Sequence, residues 1–186
     1  MSPEPYIPDA LINVNEHIAL HMVDEHFVHD LHQLIVKNRD WLQQSLDWPQ
    51  HVSTVEDTRK TAQSNRLLHQ RGYAKMFMIT RNDVLVGVLS FNAIEPTNKT
   101  AYIGYWLDEE AQGQGILSQS VQAMVDFYAR RGDIRRFVIK CRVANLASNQ
   151  VAARNGFTLE GCLKQAEFLN GNYDDQNIWG KIVDNH

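Results

Sequence analysis

The sequence predicts a single α/β domain built on a mixed, mostly antiparallel twisted sheet with helices on both faces. Three observations carry this. The chain has 186 residues, 44% of them apolar, enough for one sizeable core and short for two. Runs rich in β-branched and alternating apolar residues are interleaved with stretches of helical periodicity, in the order strand, helices, three strands, helix, strand, helix, hairpin. Short turn signals at Asn82-Asp83 and Asn170-Gly171 join strands that must run antiparallel, while the central strand–helix–strand run makes a parallel βαβ unit.

Each element has its own signal. Residues 16–23 alternate through Ile18, Leu20 and Met22, as a half-buried strand does. Asp24 is placed to cap a helix reaching about residue 36, with Phe27, Leu31 and Ile35 on one face. A short helix carrying Trp41, Leu42 and Leu46 must end before Pro49, whose ring disfavours helical backbone in the residue preceding it. Ser53 or Thr54 opens a helix to Arg71, closed by Gly72. Residues 74–80 and 84–94 read as a hairpin, and 100–107 as the next strand. Residues 115–131 form a helix with the apolar stripe Leu117, Val121, Met124, Val125 and Tyr128, closed by Gly132. A strand at 136–143, a short helix at 148–155 and strands at 162–169 and 173–183 complete the chain. Residues 1–15, with three prolines in the first eight positions, read as a flexible arm ahead of one domain at 16–186.

The formal net charge of −4 argues against whole-molecule attraction to nucleic acid or to an anionic membrane, so neither is expected as a partner. The first residues lack the basic and apolar regions of a signal peptide, and no apolar run approaches the ~20 residues of a membrane helix. Two cysteines, Cys141 and Cys162, are too few for a disulfide scaffold and read as reduced thiols, which fits a cytoplasmic protein. His17 and His21 have a spacing that joins metal ligands only on a helix; in a strand, four residues span roughly 13 Å. No metal is expected.

The chemistry-bearing stretch is residues 106–116, where a strand ends, an acidic turn follows, Gly113 and Gly115 flank Gln114, and a helix starts. Glycines admit a close backbone approach, and the free N–H groups and dipole of a helix start attract an anion such as a pyrophosphate. A Walker loop would need Gly-Lys-Ser/Thr, but Gly115 precedes Ile116 and Leu117. A dinucleotide fingerprint would need a third glycine where Ser118 stands, and an acidic residue where Arg135-Arg136 lie. A tight turn with no ligand is the plain alternative.

Residues 110–115 resemble a third pattern, the R/Q-x-x-G-x-G/A of acetyl-CoA-dependent N-acetyltransferases of the GNAT superfamily, with Glu110 in place of Arg or Gln. A second block, Asn145, Ser148, Ala152, Gly156-Phe157 and Glu160-Gly161, resembles N-x-x-S-x-x-x-A-x-x-x-G-F-x-x-E-G of the ribosomal-protein alanine/serine N-acetyltransferase branch. The likeness to its serine-specific members extends through residues 85–120 and 129–173 and the WLQQSLDWPQ segment at 41–50.

The resemblance implies the GNAT fold. It also implies transfer of the acetyl group of acetyl-CoA, as co-substrate, to the N-terminal α-amine of a protein, for these members the N-terminal serine of the ribosomal stalk protein. Gln112, Gly113, Gln114, Gly115, Ile116 and Leu117 would hold the cofactor, with Asn145 near the pantetheine. The backbone at Trp106 and Leu107, where a strand bulge is expected, would polarise the acetyl carbonyl. Glu167, in the KQAE segment, would be the general base, and Ser148 the donor to the departing sulfur. A homodimer is also implied. From the residues alone, Glu167 could equally be a solvated strand residue, and Ser148 a helix cap. Arg130, Arg131, Arg135 and Arg136 would meet CoA phosphates or an acidic protein, or form a solvated face. Trp41, Trp48 and Tyr105 fit either the acceptor side or an apolar face. Cys141 reads as a core thiol close to the cofactor's sulfur. A small-molecule acetyltransferase and a non-catalytic acyl-CoA sensor remain the alternatives.

Overall fold

The computed structural model describes residues 7–184. Eight strands, β1 (Leu11–Asn13), β2 (Ile18–Met22), β3 (Lys75–Arg81), β4 (Val84–Glu95), β5 (Thr100–Leu107), β6 (Arg136–Arg142), β7 (Thr158–Leu169) and β8 (Asn172–Ile182), form one sheet. Its order is β1-β2-β3-β4-β5-β6-β8-β7. Among the described residues every neighbouring pair is antiparallel except β5 with β6, as the intervening helix requires. Among the described residues the α-helices are α1 (Val28–Lys37), α2 (Arg39–Gln43), α3 (Val55–Arg71), α4 (Ile116–Arg131) and α5 (Leu146–Arg154).

The mixed sheet with helices on both faces is the architecture expected from the sequence. Val121, Met124, Val125 and Tyr128 of α4 pack with Phe77, Leu89, Phe91 and Phe137 on one face. Val28, Leu31 and Ile35 of α1 and Ala62 of α3 pack with Met76, Met78 and Val88 on the other. The turn chemistry also holds. Asn82 and Asp83 both have positive φ, as do Asn170 and Gly171, the backbone a two-residue hairpin demands. Thr54 opens α3 with a capping box to Asp57, and Gly72 closes it in the left-handed region.

Four expectations change. Residues 7–15 are not loose: Leu11, Ile12 and Asn13 pair with His21, Leu20 and Ala19, and Ile12 is buried. Just before β1, the buried Asp9 accepts a hydrogen bond from Tyr128 Oη at 2.6 Å and lies 2.8 Å from Lys75 Nζ and 3.2 Å from His69 Nε2. Residues 1–6 of the expected arm lie outside the described residues. Asp24 caps a single 3-10 turn that feeds α1, not a continuous helix. The second helix stops at Gln43, and Pro49 sits in a separate 3-10 turn from Trp48 to His51. β7 begins at Thr158, four residues earlier than its turn signals suggested. The early histidines have local partners: His21 Nε2 lies 3.1 Å from Thr80 Oγ1, and His32 Nδ1 lies 2.9 Å from Thr58 Oγ1.

Candidate active site

The parallel pairing of β5 with β6 covers only residues 100–103 against 136–139. Beyond it, residues 104–107 bond to β4 alone and 140–142 to β8 alone. The two strands part, and the unpaired edges open onto a cleft of about 610 Å³. Backbone N–H and C=O groups left unpaired there are strong partners for any extended polar ligand.

One end of this cleft is the glycine loop. Gly115 is the N-cap of α4 and, like Gly113, has φ of +75°, a conformation that L side chains rarely adopt. Among the described residues no side chain caps α4, so its first-turn N–H groups stand at the positive end of the helix dipole without such a partner there. Gln112, Gly113, Gly115, Ile116 and Leu117 line the cleft; Gln114 is exposed and lies outside its wall. Trp106 and Leu107 line it as well, but β5 does not bulge there. The irregularities fall on β4, where Val86 and Asn92 are passed over in the pairing with β3 and β5. Gly104, paired with Ser90, lies against the Asn92 side chain: a Cβ there would stand 2.3 Å from Asn92 Nδ2 and would push that side chain aside.

α5 forms another wall. Its N-cap is Asn145, whose side chain accepts the Ser148 N–H at 3.2 Å. The Ser148 hydroxyl is therefore free of the capping role and bonds instead to Tyr105 Oη at 2.8 Å. Tyr105 also donates to the Ser148 carbonyl at 3.1 Å, and burial raises its pKa, so it remains a neutral donor. Asn149 binds the wall together: its Oδ1 lies 3.3 Å from Cys141 Sγ, 2.9 Å from Asn177 Nδ2 and 2.8 Å from Trp179 Nε1. Burial raises the pKa of the Cys141 thiol, and Cys141, Ser148 and Glu167 all line the cleft.

Glu167 reaches the cleft by a bulge. Leu163 pairs with Gln176 and Glu167 with Asp174, so three residues of β7 oppose the single Asp175. In a regular ladder Gln165 would face Asp174; the two extra residues bring Glu167 there instead. Gln165 takes φ of +49°, and its N–H donates to Asp175 Oδ1 at 2.9 Å. Burial raises the pKa of Glu167; Asp174 adds to this, while Arg142 and Gln176 oppose it. Arg142 lies 3.5 Å from Asp174 Oδ2 and donates to the Gln44 carbonyl at 2.7 Å, joining β6 to the end of α2. A half-buried carboxylate with a raised pKa suits proton abstraction.

Of the residues singled out, the structure brings together Trp106, Leu107, Gln112, Gly113, Gly115, Ile116, Leu117, Asn145, Ser148 and Glu167. Trp41 and Cys141 join them, while Trp48 stands outside the wall, 6.1 Å from Trp106. The four arginines do not reach the cleft. Arg131 pairs with Asp133, Arg135 with Asp184 and Arg136 with Glu160. Lys140, Arg142 and Arg154 line it in their place. Sequence reasoning passed over Asn149 and Arg142; Asn149 stands four residues from Asn145, on the same side of α5, which was the available sign.

The family model described as an acetyltransferase (GNAT) domain matches residues 18–158. A ribosomal-protein-serine acetyltransferase of Escherichia coli (strain K12) is 66% identical over 173 residues, which cover 93% of this chain and 97% of that protein. A solved RimL ribosomal L7/L12 alpha-N-protein acetyltransferase superposes with a TM-score of 0.92 at 65% identity, over 93% of this chain and 98% of the other. It holds coenzyme A, in disulfide linkage to one of its cysteines. A microcin C7 self immunity acetyltransferase in complex with acetyl-CoA and AMP superposes with a TM-score of 0.89 at 40% identity, over 91% and 94%.

Proposed function

The chain belongs to the acetyltransferase (GNAT) domain family, and from that premise we propose that it moves the acetyl group of acetyl-CoA to the N-terminal serine α-amine of the ribosomal stalk protein. The observation that carries the reaction is one cleft into which three separate elements deliver a glycine loop at a helix start, the Ser148 hydroxyl and the Glu167 carboxylate. The acceptor rests on identity to the serine-specific relative along nearly the whole chain.

In this reading the α4 N–H groups and the loop around Gly113 and Gly115 receive the pyrophosphate. The open edge of β5 receives the pantetheine amides, and N–H groups near Trp106 and Leu107 face the thioester oxygen as charge develops on it. An N-terminal amine with pKa near ~8 is largely cationic at neutral pH and must lose a proton before it attacks. Glu167 accepts that proton directly or through water. The amine nitrogen bonds to the acetyl carbon, the carbon–sulfur bond breaks, and Ser148, backed by Tyr105, gives a proton to the thiolate and is reprotonated by the second proton that the nitrogen releases as the amide forms. Cys141 is the cysteine in the cleft, and it is the thiol that oxidised CoA would meet. We also assign the chain to the cytoplasm, where ribosomal proteins are made, and to a homodimer, for which Phe168 and Tyr173 offer exposed aromatic surface beside the cleft.

The test is turnover of peptides beginning with free Ser or Ala and of lysine side chains, read by mass spectrometry. The Ser α-amine is the expected product site; equal kcat/KM for lysine side chains overturns the acceptor. Glu167→Gln keeps the shape and removes the basicity, so kcat drops about 10²–10⁴-fold with CoA affinity retained. Because burial raises the Glu167 carboxyl above its ordinary value of 4.5 in the free protein, its contribution to the acidic limb of kcat/KM lies above that pH and is lost in the Gln variant.

A further inference from the structure

Lys37 and Asn38, at the end of α1, stand outside the cleft wall yet grip the turn that leads into the glycine loop. Lys37 Nζ lies 3.0 Å from Asp108 Oδ2 and 3.0 Å from Glu110 Oε2. The buried Asn38 accepts the Glu109 N–H at 3.0 Å through Oδ1 and donates to the Leu34 carbonyl at 3.0 Å. Two consecutive residues thus hold three consecutive residues of the turn.

Asn38 is at once the C-cap of α1 and the N-cap of α2, and α2 carries Trp41 and Leu42 into the wall of the same cleft. The glycine loop and this wall are fastened to one joint. The electrostatics of the turn need that joint. Asp108 and Glu110 place two carboxylates a few residues before a helix start built for an anion, and like charge there opposes a pyrophosphate. Position 110 is also where the R/Q-x-x-G-x-G/A pattern has Arg or Gln and this chain has Glu.

We propose that Lys37 is a positioning residue for acetyl-CoA binding: it supplies through space, from α1, the positive charge that position 110 lacks in sequence, while Asn38 makes the cofactor loop and the α2 wall a single body. The proposal rests on the reading of that loop as the acetyl-CoA site. Neither residue touches the reacting atoms, so the signature is in binding, not chemistry.

The experiment is calorimetric titration of the full chain with CoA, alongside steady-state kinetics, for wild type, Lys37→Met, Lys37→Arg, Glu110→Gln and the double variant Lys37→Met with Glu110→Gln. Lys37→Met should raise the CoA Kd and the acetyl-CoA KM about 3- to 5-fold, the upper scale for losing one partly exposed charge contact, with kcat near wild type. The defect should shrink with added salt, as an exposed charge effect does. Lys37→Arg should stay within about twofold of wild type, and Glu110→Gln in the Met background should recover most of the loss. An unchanged Kd in folded Lys37→Met, or a loss that Glu110→Gln leaves in full, overturns the proposal. If Lys37→Met fails to fold, Glu110→Gln alone decides: it should bind CoA at least as tightly as wild type, and weaker binding overturns the proposal. Wild type failing to bind CoA would instead overturn the cofactor reading itself.

Discussion

Gly87→Ala gives the sharpest test of how β4 sets the position of the Trp106–Leu107 backbone that lines the cleft. Gly87 pairs with Leu107 beside the bulge at Val86, and its φ is not in the left-handed region, so the cost of a methyl group is purely steric. A Cβ there would stand 2.4 Å from the Trp106 carbonyl oxygen, 3.1 Å from Leu107 Cα and 3.0 Å from Leu107 Cδ1. Two of these three atoms are backbone, which cannot swing aside as a side chain can. Restoring ordinary contact moves the Trp106 peptide by about 1 Å, in a site where misplacement on that scale costs about 10²-fold in rate. Overpacking of this kind costs about 1–3 kcal/mol, which for a chain of this size lowers the melting temperature by roughly 3–10 °C. The expected result is a folded variant with kcat/KM down about 30- to 300-fold and a CoA Kd changed far less, because the α4 loop is untouched. Stopped-flow thioester cleavage, calorimetry and thermal melts read the three quantities. Wild-type kcat/KM with a wild-type melting temperature would refute both the tight β4–β5 contact and the role of the Trp106–Leu107 backbone.

Two further outcomes follow from contacts elsewhere. Tyr105→Phe removes the hydroxyl bonded to Ser148, and kcat should fall about 3- to 30-fold while the CoA Kd holds; a fall matching that of Ser148→Ala would make Tyr105 itself the donor. Asp9→Asn should destabilise the fold by about 3 kcal/mol at neutral pH, measured by urea unfolding, because it leaves Lys75 and Arg131 without their buried counter-charge. Burial disfavours the Asp9 carboxylate, but the neighbouring His69 and Lys75 and the hydrogen bond from Tyr128 outweigh it and hold its pKa below the ordinary 3.8. That stability is present above 3.8 and is lost as pH falls further, so the gap between wild type and variant should close in acid. A gap that stays constant down to pH 2 would show that Asp9 acts by packing alone.

Much of the fold was legible because local chemistry and global arrangement agree. The Asn82-Asp83 and Asn170-Gly171 turns have the positive φ their residues favour, and Gly113 and Gly115 take a backbone that side chains resist. What escaped depends on contacts distant in sequence. β1 is three residues long and has no periodicity to read; it is held by pairing with β2 and by Asp9, whose partners Lys75 and Tyr128 lie far along the chain. The bulge at residues 164–166 shows no glycine, and Gln165 adopts its conformation because Asp175 on the neighbouring strand accepts its N–H. Ser148 looked like a helix cap because serine caps well, but Asn145 three residues earlier takes that role and releases the hydroxyl. Glu110 looked like a defect in a motif until Lys37 appeared beside it.

The two halves of the cleft are made of different material. The end at α4 and the open edge of β5 consist largely of main-chain N–H and C=O groups, whose positions depend on the sheet and on two glycines. The other end consists of side chains, Trp41 and Leu42 on a five-residue helix and Glu167 beside a hairpin tip, with the tip clipped to that helix by Asn170 Nδ2 and the Gln43 carbonyl at 3.1 Å. On the proposed reading, substitutions at the second end change which amine fits, and they leave the groups that hold the donor in place as long as Asn38 keeps its bond to the turn before α4. Grafting a foreign α2 and β7–β8 tip onto this sheet is therefore the economical route to a new acceptor. The graft must carry both pieces together, since each is hydrogen-bonded to the other.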